Sequence, residues 1–160
     1  MADQNLITKL NLDAWNAQLG KADKFFSSLS DEDLQKETAP GRNTGVYLFG
    51  HLIAVHDALL PLLGIGEKLH PELEEIFLKN PDKSGLEKPA VKDLRNYWKE
   101  VNDKLSSQLN QLSSDDWFAK HTSVSEEDFA KEPHRNRMNV LISRTNHLAY
   151  HLGQLAYLQK

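Results

Sequence analysis

Residues 136–158 read NRMNVLISRTNHLAYHLGQLAYL, and this stretch decides the fold class. Its apolar residues Val140, Leu141, Leu148, Leu152, Leu155 and Leu158 recur mostly at steps of three, four and seven, the spacing that lines one face of an α-helix. The same period runs through the rest of the chain. Leu12, Trp15, Leu19, Ala22, Phe26 and Leu29 mark a first helix between Ile7 and Leu29. Leu48, Leu52, Val55, Leu59 and Leu62 mark a second from Asn43 to Leu63, with Gly64 and Gly66 as its stop. Val91, Leu94, Trp98, Val101, Leu105 and Leu112 mark a third from Val91 to Leu112. No long alternating run suggests a sheet, so the pattern predicts an all-α fold.

Four long helices in 160 residues predict a four-helix bundle forming a single domain over residues 1–160. The stretch from Gly64 to Pro89 is too long for a tight turn, and a short helix is expected inside it over Pro71–Phe77, with Pro71 in its first turn. Such a crossover lets the second and third helices run parallel, which gives an up-down-down-up arrangement. The second long connection, Phe118 to Arg135, is polar and is expected to act as a flexible lid. The halves look alike. Ser30-Asp31-Glu32-Asp33 follows the first helix as Ser113-Ser114-Asp115-Asp116 follows the third, and Asn43 precedes His51 by the same eight residues that separate Asn139 from His147.

Composition narrows the function classes. There is no cysteine, so disulfides, thiolate metal sites and a protein-borne thiol nucleophile are excluded together. With 23 acidic residues against 19 Lys and Arg, the chain lacks the positive field that binds nucleic acid or anionic lipid. No charged leader precedes an apolar run, and no stretch approaches the roughly 20 apolar residues of a membrane helix. The expectation is a cytoplasmic protein with neither membrane nor nucleic acid as partner.

The histidines carry the chemistry. Four residues advance a helix by about 400°, so His147 and His151 lie about 40° apart on the apolar face of the last helix, placed to grip one ion. His51 sits on the apolar stripe of the second helix, between Leu48 and Val55, where the apparent repeat matches it to His147. Three neutral imidazoles at one point bind Zn, Ni, Fe or Cu and leave a coordination position open. The competing reading is three core histidines bonded to their neighbours. Glu67-Lys68-Leu69-His70 has the Glu-x-x-His spacing of a di-iron site, but that motif occurs once, between Gly66 and Pro71, with no inward Glu on the second or fourth helix.

Two further residues are candidate catalytic groups. Arg144, about 60° from His147, could hold an anionic substrate group or snorkel to the bundle end. Tyr47, one turn before His51, could donate a hydrogen bond to substrate or pack. His56, about 140° from His51, is expected at a surface or interface, and His70, His121 and His134 in solvated connections. The basic run His134-Arg135-Asn136-Arg137 stands where a helix N-terminus disfavours cations, a hint of acidic neighbours or an anionic ligand.

Gly50-His51-Leu52, His147-Leu148-Ala149-Tyr150-His151 and the following Gly153-Gln154-Leu155 resemble the signature of the DinB-like superfamily, and the resemblance spans nearly the whole chain. It implies an up-down-down-up bundle in which His51, His147 and His151 hold one divalent ion, commonly zinc or nickel, and frequently a homodimer. Members include transferases and isomerases that use low-molecular-weight thiols such as bacillithiol, and others described as metal-dependent hydrolases. Three functions follow as expectations. The first is a thiol S-transferase in which the ion lowers the pKa of a small thiol that attacks an electrophile, which suits a chain without cysteine. The second is a hydrolase acting through activated water, against which no inward Asp or Glu offers a general base. The third is a non-enzymatic stress-related binding protein.

Overall fold

The computed structural model describes residues 2–159. Four long helices dominate it: α1 (Ala2–Ser28), α3 (Gly45–Leu62), α4 (Val91–Leu109) and α7 (Arg137–Leu155). Short helices α2 (Asp31–Leu34), α5 (Ser114–Phe118) and α6 (Glu126–Lys131) occupy the connections, with a π-helical turn at Glu75–Lys79 and a 3-10 turn at Ala156–Leu158. Among the described residues there is no strand, only isolated bridges between Glu37 and Thr44 and between Lys120 and Asn136. The all-α expectation holds. The short helix expected over Pro71–Phe77 appears as the π-helical turn at Glu75–Lys79, and the buried Phe77 within it and Leu73 just before it explain why a helical segment was legible there.

Local chemistry sets the boundaries. Ser30 caps α2 by accepting from Asp33 N, and Ser113 forms a full capping box with Asp116 at α5. Thr44 caps α3 by accepting from Tyr47 N. At the other end Ile65 N reaches Leu60 O at 2.9 Å, a closing turn that needs the positive φ of Gly64, 68°. The suggested duplication is not mirrored in the helix starts: Asn43 precedes the cap of α3, whereas Asn139 lies inside α7, whose cap is Asn136.

α3 packs against α4, the crossover and α7, while α1 packs against α7. This explains its composition, since Val46 to Gly50, Leu52 to Asp57, Leu59 and Leu60 are all buried. By length and composition α3 is the one helix among the described residues apolar enough to cross a membrane, but 78% of it is buried inside the protein, as in a core helix. The expectation that no stretch comes near that threshold is corrected at this helix.

Polar side chains join the elements at their ends. Arg95 of α4 donates to Phe26 O at 2.6 Å and Leu29 O at 2.9 Å, satisfying carbonyls at and just beyond the end of α1. Arg137 donates to Leu63 O at 2.8 Å and Asp116 O at 3.0 Å, carbonyls at two helix ends, while Arg135 of the same basic run pairs with Glu132 at 3.2 Å, one of the acidic neighbours expected there. Asp57, fully buried on α3, accepts from Leu69 N and His70 N, both at 2.8 Å, and fixes the start of the crossover. Asp82, buried at its far end, accepts from Thr44 N and Thr44 Oγ1 and pairs with Lys88, tying the crossover to the start of α3.

Three histidines depart from the sequence reading. His56 is not at a surface: it is wholly buried between Trp15 and Trp98, with Nδ1 2.8 Å from Asn102 Oδ1. The α3–α4 contact covers the flank that a one-faced helix would have left to solvent. His70 is half-buried, stacked on Tyr97 and 3.0 Å from Glu100 Oε2, and His121 is likewise half-buried. His134 is exposed, as expected.

Burial pushes the His56 imidazole down to about 4. The unfolded chain, with an ordinary histidine near pH 6.5, takes up that proton first. The contribution is therefore fully present above about pH 6.5 and is lost as pH falls toward about 4. Urea midpoints of the metal-free protein should drop across that window, and His56→Gln should flatten the drop while lowering the neutral-pH midpoint. An equally steep acid limb in the variant would assign it to other groups.

Candidate metal centre

Three imidazoles from two helices meet at one point. His51 projects from α3, and His147 and His151 from successive turns of α7. His147 Nε2 lies 3.2 Å from His51 Nε2 and 3.0 Å from His151 Nε2. One ligand nitrogen from each ring lies within 4.8 Å of the others, a grouping that can hold a metal ion. Two nitrogens bound tetrahedrally at about 2.05 Å would stand about 3.3 Å apart, close to the spacings seen here.

The outer nitrogens decide which form the rings take. His51 Nδ1 lies 2.9 Å from Phe77 O, and a carbonyl accepts only, so Nδ1 carries the proton. His151 Nδ1 lies 2.7 Å from Gln154 Oε1 and is fixed the same way. Both Nε2 atoms therefore present lone pairs toward His147. Bonding within the trio alone cannot satisfy this arrangement: His147 has one Nε2 proton to share between two acceptors, and its buried Nδ1 has no partner. A cation at the shared point takes all three lone pairs, so the donor set fits a metal better than it fits a closed histidine network.

Electrostatics act in the same direction. Burial lowers the pKa of all three rings, most strongly His147, which is pushed down to about 3 with added repulsion from His151, His51 and Arg144. For His51 the Phe77 carbonyl works against this fall, and for His151 Gln154 does. The rings are thus neutral at pH 7, the form that ligates.

Arg144 is half-buried on α7 and makes no hydrogen bond or ion pair among the described residues. It lies one turn before His147, and its charge lowers the proton affinity of both His51 and His147. Tyr47 is buried, and its hydroxyl donates to Asn80 O at 2.7 Å. It thereby holds the segment whose Phe77 carbonyl orients His51, a positioning role. The connection from Phe118 to Arg135 lies elsewhere: Thr122 N and Oγ1 bond to Leu62 O at the far end of α3, and Val124 is buried. The expected lid is pinned away from the histidines.

Sequence reasoning missed Phe77, Gln154 and the reason for Gly50. Gln154 had a signal, three residues after His151 and so on the same face. The Phe77 carbonyl had none, because a backbone acceptor from the crossover leaves no mark in residue identity. A Cβ on Gly50 would lie 2.2 Å from Phe77 Cζ, so the glycine beside His51 is where the Phe77 ring seats.

The sequence model of the DinB superfamily matches residues 14–155. No curated protein matches the chain. Among solved structures, the crystal structure of a conserved protein from Enterococcus faecalis superposes with a TM-score of 0.63 at 17% identity, covering 94% of each chain, a likeness of fold.

Gly50→Ala sets two effects against each other. A mid-helix alanine favours the helix by up to about 1 kcal/mol, whereas overpacking against Phe77 costs about 1–3 kcal/mol. The expected net result is lower stability and, through displacement of the His51 acceptor, metal affinity weakened about tenfold or more. Gly153→Ala, with open space around its Cβ, should be neutral or stabilising with metal affinity unchanged. Urea denaturation and chelator competition measure both, and a Gly50→Ala protein more stable than the parent would refute the seating of Phe77.

Proposed function

The chain belongs to the DinB superfamily, and on that premise we propose that it is a metal-dependent S-transferase whose centre is His51, His147 and His151 and whose co-substrate is a low-molecular-weight thiol such as bacillithiol. The observation that carries this reading is the convergence of three imidazole Nε2 atoms, two of them held as lone-pair donors by Phe77 O and Gln154 Oε1. Zinc or nickel suits three imidazoles, and when bound such an ion lowers the pKa of a thiol at its open position. No Asp, Glu or fourth His joins the group among the described residues, which leaves room for an external ligand. The same observation weakens the hydrolase alternative, since no carboxylate stands by as general base.

The chain's own residues then act by placement. His51 and His151 keep their orientation through Nδ1, and the low proton affinity of the trio keeps it available for a cation at neutral pH. Arg144 contributes positive charge beside the centre, which favours an anionic group there. Tyr47 contributes through the Phe77–Asn80 segment.

For the fold we propose an up-down-down-up four-helix bundle with its long crossover between α3 and α4. It is supported by contacts between Asn5 and Ser114, Arg95 and Leu29, His56 and Asn102, and Leu63 and Arg137. A cytoplasmic homodimer that engages neither nucleic acid nor membrane is the accompanying proposal, resting on the family resemblance and on a net charge of −4.

Elemental analysis of the tag-free protein should find about one equivalent of zinc or nickel, the stoichiometry of a single three-imidazole site. His51→Ala and His151→Ala should lose it while helical circular dichroism persists. The loaded protein should transfer bacillithiol to a model electrophile, and His147→Ala should not. Failure of the parent to bind either metal on reconstitution would sink the centre, and ester cleavage independent of thiol would sink the transferase.

A further inference from the structure

A cleft of about 470 Å3 between α1 and α4 has its main polar groups already engaged: Asp23 accepts from Trp98, Asn102 bonds His56, and Arg95 binds carbonyls and Asp31. A smaller groove differs in this respect. It measures about 140 Å3 and is lined by Val55, Ala58, Leu59, Leu62, Leu78 and Arg144. Its one charged group, Arg144, is half-buried and has no acidic or carbonyl partner among the described residues. A cation withdrawn from water without a counter-charge is costly, and a guanidinium is matched by the two oxygens of a carboxylate.

Three of the groove's residues are chain neighbours of the histidine centre. Val55 is one turn beyond His51 on α3, Arg144 one turn before His147 on α7, and Leu78 follows the residue whose carbonyl holds His51. Leu78 is 37% exposed, an apolar residue left open at the rim.

We propose that this groove takes the acceptor substrate, a small carboxylate with a short apolar body. Arg144 holds the carboxylate, and Val55, Ala58, Leu62 and Leu78 receive the apolar part, so that the molecule lies alongside the three imidazoles. The assignment of acceptor rests on the transferase reading above; the carboxylate site itself does not. The small volume excludes bulky acceptors, and the single cation favours a monoanion over a dianion.

Binding of hexanoate, hexan-1-ol and acetate to the full chain, stripped of metal and then zinc-loaded, tests this by methyl-resolved NMR. Hexanoate should shift the methyls of Val55, Ala58, Leu59, Leu62 and Leu78 without metal, and the alcohol and acetate should bind about tenfold more weakly. Arg144→Gln should weaken hexanoate about tenfold and leave the alcohol unchanged. Leu78→Ser, at an exposed position that folding tolerates, should weaken both. Equal binding of acid and alcohol, or indifference to Arg144→Gln, overturns the proposal. Hexanoate binding that appears only with zinc and survives Arg144→Gln also overturns it, because the carboxylate would then sit on the ion. Zinc content measured on the same samples keeps the two readings apart: a protein that loads zinc but ignores hexanoate refutes the groove alone, and one that binds hexanoate through Arg144 but never loads zinc refutes the centre alone.

Discussion

The ring of Phe77 rests on the bare backbone of Gly50, and much of the site depends on that contact. It lets the crossover lie directly on α3, close enough for the Phe77 carbonyl to reach His51 Nδ1. Any side chain at position 50 would lift the crossover from the helix. The same segment is held from its other end by Tyr47 on Asn80 O and by Asp82 on Thr44, and from the far side by Asp57 on Leu69 and His70. A connection of more than twenty residues is thus bonded to α3 along its length, which is why it serves as a wall rather than a tether.

Burial supplies the rest of the chemistry. Imidazoles in water titrate near pH 6.5, but burial lowers the pKa of all three in the trio, with added repulsion from the neighbouring imidazoles at His147 and from Arg144 at His51. Their lone pairs converge because the outer nitrogens of two rings are spoken for. The three-histidine group, which can hold a metal ion, is therefore prepared by hydrogen bonds from residues outside it. Arg144 adds a positive charge that further lowers the proton affinity of His51 and His147.

How much of this was legible in the sequence varies by residue. The helices were, because each long helix buries one face and three- and four-residue spacing records it: Trp15, Leu19, Ala22 and Phe26 on α1, and Leu94, Trp98, Val101 and Leu105 on α4, are all buried. α3 was legible as a helix but not as a central one. Its flank carries His56, which the period assigns to a surface or interface and which the packing of Trp15 and Trp98 buries. The His147–His151 pair was legible because one helical turn relates them, whereas His51 was reached through its place on an apolar stripe, the Gly50-His51-Leu52 resemblance and an apparent repeat whose helix starts do not correspond.

The sequence by itself determined the all-helical class, the helix stops at capping and glycine residues, and the identity of three imidazoles with matched spacing, because these depend on interactions within a few residues along the chain. Only the tertiary structure decided that the crossover carbonyl orients His51, that the Phe118–Arg135 connection lies away from the centre, that His56 is core, and that Arg144 faces an apolar groove without a partner. Each of those depends on which surfaces distant segments turn toward one another. Periodicity tells how much of a helix is buried, but not what buries it.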